Sequence, residues 1–212
     1  MNRTLTTRGE RTRERLIEAA TTVFASSGYF EPKITDFTAA AGQANGTFYR
    51  YFVSKEEIFL EVVRRTNARM HESSGTGLGP GATPMERIEN ATRLYVQAYR
   101  ANAPIMMLLE QVSGISEEFR DLRLSTRRMY RSRTEASLRR WQERGLIDSQ
   151  LRPDYAAEAL ISMVSNFCYM WLAMEDDHDE DVVVDTLSRM WAMAIGLRVD
   201  TPADVGRSRT PG

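Results

Sequence analysis

The sequence predicts an all-α chain, with a small N-terminal helix-turn-helix head of three helices on a larger helical body. Three observations predict it. Apolar residues recur at helical spacing almost throughout. No segment alternates apolar and polar residues for long enough to form a strand. The breaks are turn-formers: Ser73 to Ala82 holds four glycines and a proline, and the segment from Val199 to Gly212 lacks an apolar period.

The elements follow in order. A first helix over 11–26 places Leu16, Ala20, Val23 and Phe24 on one face and stops at Gly28. A second, short helix starts with Thr35 as N-cap and ends near Ala41-Gly42. A third runs from Ala44 or Asn45 to Phe52. Ser54 caps a fourth that reaches residue 72, with Glu57 completing a capping box. Thr83-Pro84-Met85-Glu86 opens a fifth helix to 101, with proline at its first position. Pro104 opens a sixth to Val112, and Ser116 opens a seventh that Gly145 closes, a span of about 40 Å. An eighth runs from Pro153 or Asp154 to 174. The last runs from 179 to 197, with four acids near its positive end. The expected division is a head over 1–53, a body over 54–198 whose residues 54–73 form a connecting helix, and a flexible tail over 199–212.

The 212 residues carry a net charge of −1 and are 42% hydrophobic and 27% charged, which is ordinary for a globular protein and too apolar for a disordered one. No apolar run approaches the ~18 residues of a membrane-spanning helix, and the polar N-terminus is no secretory signal. One cysteine, Cys168, closes no intrachain disulfide and fits a reducing cytoplasm. Charge is segregated along the chain. Residues 1–15 hold five arginines and two glutamates, 120–144 hold nine arginines and three acids, and 175–181 hold six acids around His178.

The informative stretch is Ile34 to Phe52. Two short helices flank Gly42-Gln43-Ala44, and a glycine in so short a turn makes the corner of a helix-turn-helix. Ile34, Phe37, Phe48 and Phe52 pack inward. The opposite face shows Gln43, Asn45, Thr47, Tyr49 and Arg50, hydrogen-bonding side chains with no negative charge, suited to base edges and phosphates.

Here the chain resembles the TetR family (tetracycline-repressor-like regulators). The likeness covers residues 11–59: Leu16-Ile17-Glu18-Ala19-Ala20 with Phe24 and Gly28, Ile34-Thr35-Asp36-Phe37, the Ala41-Gly42 turn, Gly46 to Phe52, and Ser54-Lys55-Glu56. The resemblance implies DNA binding through residues 1–53. Thr35, Thr47, Tyr51 and Lys55 would hold phosphates, and Gln43, Asn45 and Tyr49 would read bases. Arg50 would serve either, and Gly46 would let the backbone approach DNA closely. Ala44 and Asn45 stand where many family members carry a small hydroxyl residue and a lysine. The arginine-rich arm, Arg3 to Arg13, would reach a minor groove or flanking phosphates.

For the body the resemblance implies a small-molecule effector cavity and a homodimer. The residues expected to line the cavity are Tyr95, Tyr99, Met106, Met107, Glu110, Phe119, Tyr130, Met163, Phe167, Met170 and Trp171, and their methionines suit varied apolar shapes. The arginine-rich seventh helix is either a solvated face or points Arg123, Arg127 or Arg131 inward at an acidic ligand such as an acyl thioester. The last two helices carry the expected dimer interface: Leu160, Val164, Cys168, Val183, Leu187, Met190, Trp191 and Ala194. Two chains would set two heads on a palindromic operator in double-stranded DNA, about 34–36 Å apart.

No catalytic or metal-ligand constellation, Gly-rich phosphate loop or cofactor motif is present in the sequence. His71 and His178 stand outside any ligand spacing, and Cys168 has no histidine near it in sequence. The expected function is a cytoplasmic repressor released from its operator by a hydrophobic or aromatic effector. The alternatives are a ligand-independent DNA-binding dimer or adaptor, and an activator.

Overall fold

The computed structural model describes residues 7–73, 77–174 and 177–197, and every regular element among them is a helix. In chain order these are α1 (Thr7–Ser27), α2 (Ile34–Ala40), α3 (Asn45–Phe48), α4 (Lys55–Ser73), α5 (Pro84–Ala101), α6 (Ala103–Val112), α7 (Glu117–Glu143), α8 (Pro153–Ala173) and α9 (Glu180–Ala194).

Most boundaries follow from local chemistry. The Thr83 side chain accepts from the Glu86 N–H, and the Glu86 carboxylate accepts from the Thr83 N–H at 2.7 Å, a reciprocal cap. Ser116 accepts from the Phe119 N–H, and Asp179 from the N–H groups of Asp181 and Val182. Gly28 and Gly145 end α1 and α7 at φ of 76° and 67°, where only glycine is unstrained.

Three expectations shift. α1 starts at Thr7 rather than 11: Gly9 falls in the first turn, where a weak helix former is tolerated, no proline interrupts, and Glu10 suits the positive end. Arg8, Arg11 and Arg13 are therefore helical and form no arm; Arg3 lies outside the described residues, as does the segment 199–212. α2 is capped by Lys33, whose N–H donates to the Asp36 carboxylate at 2.7 Å, so Thr35 lies inside the first turn. α3 is a single turn, although the N–H groups of Tyr51 and Phe52 still donate to the Phe48 carbonyl at 2.9 and 3.0 Å and keep the chain curled.

α1 to α3 do not form a core of their own. Phe24, Phe37, Phe48 and Phe52 join Ile58, Phe59 and Val62 of α4, Leu108 and Leu109 of α6, and Phe119 of α7 in one cluster. Phe24 and Phe59 meet at 4.9 Å, Tyr29 and Phe119 at 5.6 Å, and Phe59 and Phe119 at 5.5 Å. A second cluster joins Met70, Val96, Tyr99, Cys168, Trp171 and Leu187. A third, at the far end, joins Ile88, Leu138, Trp141, Leu160 and Ile195.

Among the described residues one helix, α8, is long and apolar enough to cross a membrane by length and composition, with mean hydropathy 1.2, although no apolar run in it is long. It packs against α5, α6 and α7, which accounts for part of that character.

Phe24→Ala removes a fully buried ring packed on three others and is expected to cost about 3–5 kcal/mol in denaturant unfolding. Val53→Ala, at a position 79% exposed, should stay within about 0.5 kcal/mol. Equal losses would show that the aromatic cluster does not hold the head.

Candidate functional site

The head presents one continuous surface from the start of α2 across α3. Gly42, at φ 62°, turns the chain, and the Gln43 N–H donates to the Thr38 carbonyl at 2.8 Å, locking the corner. Phe48 is fully buried against Phe37 and Phe52, so α3 is pinned from beneath. Above that anchor Ala44, Gly46, Tyr49 and Arg50 are exposed, with Tyr49 at 61%; Thr35 is exposed on α2, and Gln43, Thr47 and Tyr51 are half-buried. α3 carries no acidic side chain, so nothing on it repels a polyanion.

Two of the expected contact residues have structural partners. The Thr38 hydroxyl donates to the Asn45 side-chain oxygen at 2.5 Å, which ties α3 to α2 and leaves the two Asn45 amide protons out of that bond. Lys55 donates to the carbonyls of Phe30 and Pro32 at 2.9 and 3.2 Å and lies 5.1 Å over the Tyr29 ring. An ammonium has three protons, so one remains for a further acceptor.

The head is also bound to α4 by charge. Arg65 forms a two-pronged ion pair with Glu14 and a 3.0 Å bond to Glu61, and Arg13 reaches Glu61 at 3.2 Å and lies 5.2 Å over the Phe52 ring. The hydrogen bond from Arg65 holds the Glu14 carboxyl below its ordinary 4.5, so this tie is intact above that pH and is lost as pH falls through the lowered value. Composition gave no sign of this network, because its pairs between α1 and α4 join residues 48 and 51 positions apart.

The body encloses a cavity of about 1160 Å³ between α5 and α7, floored by Asn67 and Met70 of α4. Of the residues expected to line it, Tyr95, Tyr99, Met106, Glu110, Tyr130 and Met163 do. Burial drives the phenols of Tyr95 and Tyr99 far up, so both stay protonated donors. Phe119 is a correction: it belongs to the aromatic cluster under the head, because α7 begins there before it reaches the cavity. Met107, Phe167, Met170 and Trp171 also lie off the lining. Phe167 and Trp171 instead face His178 at 5.9 and 5.8 Å, while Asp176 falls outside the described residues.

Arg123 and Arg127 both line the cavity, but each already has a carboxylate: Arg123 pairs with Glu110 at 2.6 Å and Arg127 with Glu158 at 2.5 Å. Arg131 lies 3.9 Å from Glu158, outside the lining. Sequence reasoning missed Asn67, Thr126, Ser137, Arg140 and Arg144. Those on α7 share one face at helical spacing, but the face is polar, so a search for apolar periodicity passes over it.

The expected dimer residues divide. Leu160, Val164, Cys168, Val183 and Leu187 are buried in the protomer's own clusters. Burial pushes the Cys168 thiol up to about 12, so it is inert. Trp191 lines the cavity. Met190 and Ala194 remain exposed, beside Val182 and Met193 on α9 and Tyr155, Met170 and Met174 on α8. Among the described residues no group of three or more His, Cys, Asp or Glu side chains is placed to hold a metal ion.

Comparison with known proteins bears on this geometry. Residues 16–62 match the family described as bacterial regulatory proteins, tetR family, and residues 81–194 match the tetracyclin repressor-like C-terminal domain. The chain is 26% identical over 159 residues to the HTH-type transcriptional repressor DhaR of Mycobacterium sp. (strain GP1), covering 71% of this chain and 77% of that protein. It is 23% identical over 172 residues to the HTH-type transcriptional regulator YdgC of Bacillus subtilis, covering 78% of this chain and 83% of that one. Its fold is shared with a transcriptional regulator of Saccharomonospora viridis solved with choline, at TM-score 0.78 and 21% identity over 89% of this chain and all of that one. It is shared also with the fatty acid degradation regulator FadR of Bacillus halodurans, at TM-score 0.71 and 18% identity over 84% and 93%. The C-terminal match alone spans more than half of the sequence, and a helix-turn-helix surface sits where the N-terminal match lies: the chain belongs to the tetR family of DNA-binding transcription regulators.

Proposed function

We propose that this regulator is a homodimeric repressor that grips a two-fold-symmetric operator with its two heads and lets go when a small molecule fills the body cavity. The observation that carries this reading is the double membership of α4. Its first half, Ile58 to Val63, lies in the core beneath the head, and its second half, Asn67 and Met70, floors the cavity. A ligand that shifts α4 therefore shifts the head, and head spacing decides whether both half-sites engage at once. A ligand-independent regulator has no use for a cavity of about 1160 Å³ on that helix. Such a protein works in the cytoplasm, beside the chromosome.

In the head, Tyr49, Arg50 and Gln43 are the base-facing candidates, with Thr35, Thr47, Tyr51 and the spare Lys55 proton for phosphates. Asn45 serves first to fix α3 through Thr38. Gly46 supports the reading. It has no positive φ, and a Cβ built on it meets nothing within 4 Å, so the fold itself does not require glycine there. A surface that must lie against DNA backbone does.

The dimer forms through the exposed apolar faces of α8 and α9. Only 28% of the apolar window of α8 is buried within the protomer, although that helix is apolar enough for a membrane. Tyr155, Met170, Met174, Val182, Met190 and Met193 form the uncovered face, and a four-helix contact with a second copy buries it.

Selection of bound sequences from a random DNA pool should recover a two-fold-symmetric site; an asymmetric or absent preference would refute the paired-head reading. On that site Gly46→Ala should bind at least tenfold more weakly while its thermal stability holds or rises, since alanine favours helix by about 1 kcal/mol. Unchanged binding would remove α3 from the interface. Met193→Glu, at a position 77% exposed, should give a folded monomer by sedimentation and circular dichroism. A folded dimer would place the interface elsewhere.

A further inference from the structure

The cavity is long and its charge is uneven. Arg123, Arg127, Tyr130, Thr134, Ser137 and Trp141 line it from a single face of α7, and Arg144 from the C-cap of that helix. Twenty-one residues at 1.5 Å each make it about 30 Å from end to end. Tyr99, Met106 and Leu109 line the inner end, and its arginine, Arg123, is neutralised by Glu110. The outer end differs. Arg87 of α5, Arg140 of α7 and Arg144 at the α7 C-cap line it there, with Arg133 about two turns earlier on α7 and Glu143 as the acid on that rim.

Arg87, Arg140 and Arg144 form no ion pair among the described residues. Arg140 donates to the Ser137 hydroxyl at 3.0 Å. Arg87 is held by the carbonyls of Leu78, Gly79 and Ala82, at 2.7 to 3.3 Å, which orient a guanidinium without cancelling its charge. An oriented arginine with two more lining the same rim is a fork for a multiply charged oxyanion.

We propose that the cavity takes an amphiphile, with an alkyl or acyl chain along the inner tyrosine and methionine half and a phosphorylated head group at the rim between Arg87, Arg140 and Arg144. This rests on the effector reading above and adds the chemical class. Two sources supply such a molecule: a simple alkyl phosphate of lipid origin, or an acyl thioester of a phosphorylated carrier. A small cation is disfavoured, because the one carboxylate at the inner end is already paired.

The test is calorimetric titration of the full chain with dodecyl phosphate below its micelle concentration, decanoyl-coenzyme A, dodecanol, inorganic phosphate and choline chloride. At least one phosphorylated chain should bind at least tenfold more tightly than dodecanol or phosphate alone. Tighter binding of the thioester assigns the carrier as source, and the reverse assigns the alkyl phosphate. The double variant Arg140→Gln, Arg144→Gln should lose at least tenfold for the phosphorylated chain, with its melting curve and dodecanol binding unchanged. Dodecanol binding as tight as the phosphorylated chains, choline binding tighter than either, or an indifferent double variant would each overturn the assignment. Operator affinity is read in parallel by anisotropy. A phosphorylated chain that binds through the arginines yet leaves the DNA complex intact would overturn the effector reading and keep this one.

Discussion

The architecture rests on the aromatic contact between head and body. Phe24 of α1, Tyr29 of the following turn, Phe59 of α4 and Phe119 of α7 meet ring to ring at 4.9 to 6.0 Å. A forty-residue head is too small to bury enough apolar surface by itself. It is stable because it borrows rings from the body, and the consequence is mechanical. Close-packed aromatic interiors transmit displacement rather than absorb it, and the Glu14–Arg65–Glu61–Arg13 ion network reinforces the same junction from outside. The head has no freedom to ignore a movement of α4.

Within the head, residues divide between those the fold demands and those it does not. Gly42 is demanded by its φ of 62°, and Phe48 by full burial. Asn45 and Lys55 stand between, since each satisfies an internal hydrogen bond and keeps protons to spare. Gly46 and Arg50 are exposed with no packing demand on them, and Tyr49, although its ring meets Phe48 edge-on at 5.5 Å, keeps most of its surface outside, which is what a surface kept for another molecule looks like.

Much of this was legible in the sequence, and the limits have physical causes. Thr83, Ser116 and Asp179 announce their helices because a cap is a local hydrogen bond between near neighbours. The Gly42 corner and the Phe37–Phe48 pairing are equally local. Lys33 escapes as a cap because the work is done by its backbone and the Asp36 carboxylate. α8 and α9 mislead because each has apolar residues on more than one face. Leu160, Val164 and Leu187 look like interface by composition and turn inward, while Met190 and Met193 stay outside. Phe119 shows the same difficulty along a helix: α7 starts in one core and ends in another, and periodicity does not say where the change occurs. The polar face of α7 looked like solvated surface because only the helices opposite it, α5, α6 and α8, make it the side of a cavity.

The central claim, that α4 carries ligand occupancy into head position, is open to direct measurement. Val53 is exposed beside α4, and Cys168 is buried with an unreactive thiol, so Val53→Cys directs a spin label to one site in each protomer. Pulsed electron spin resonance then reads the distance between the two heads, with and without a molecule that releases the operator. The account predicts that the distance shifts by several ångströms as release occurs. Release with the distance distribution unchanged would contradict it.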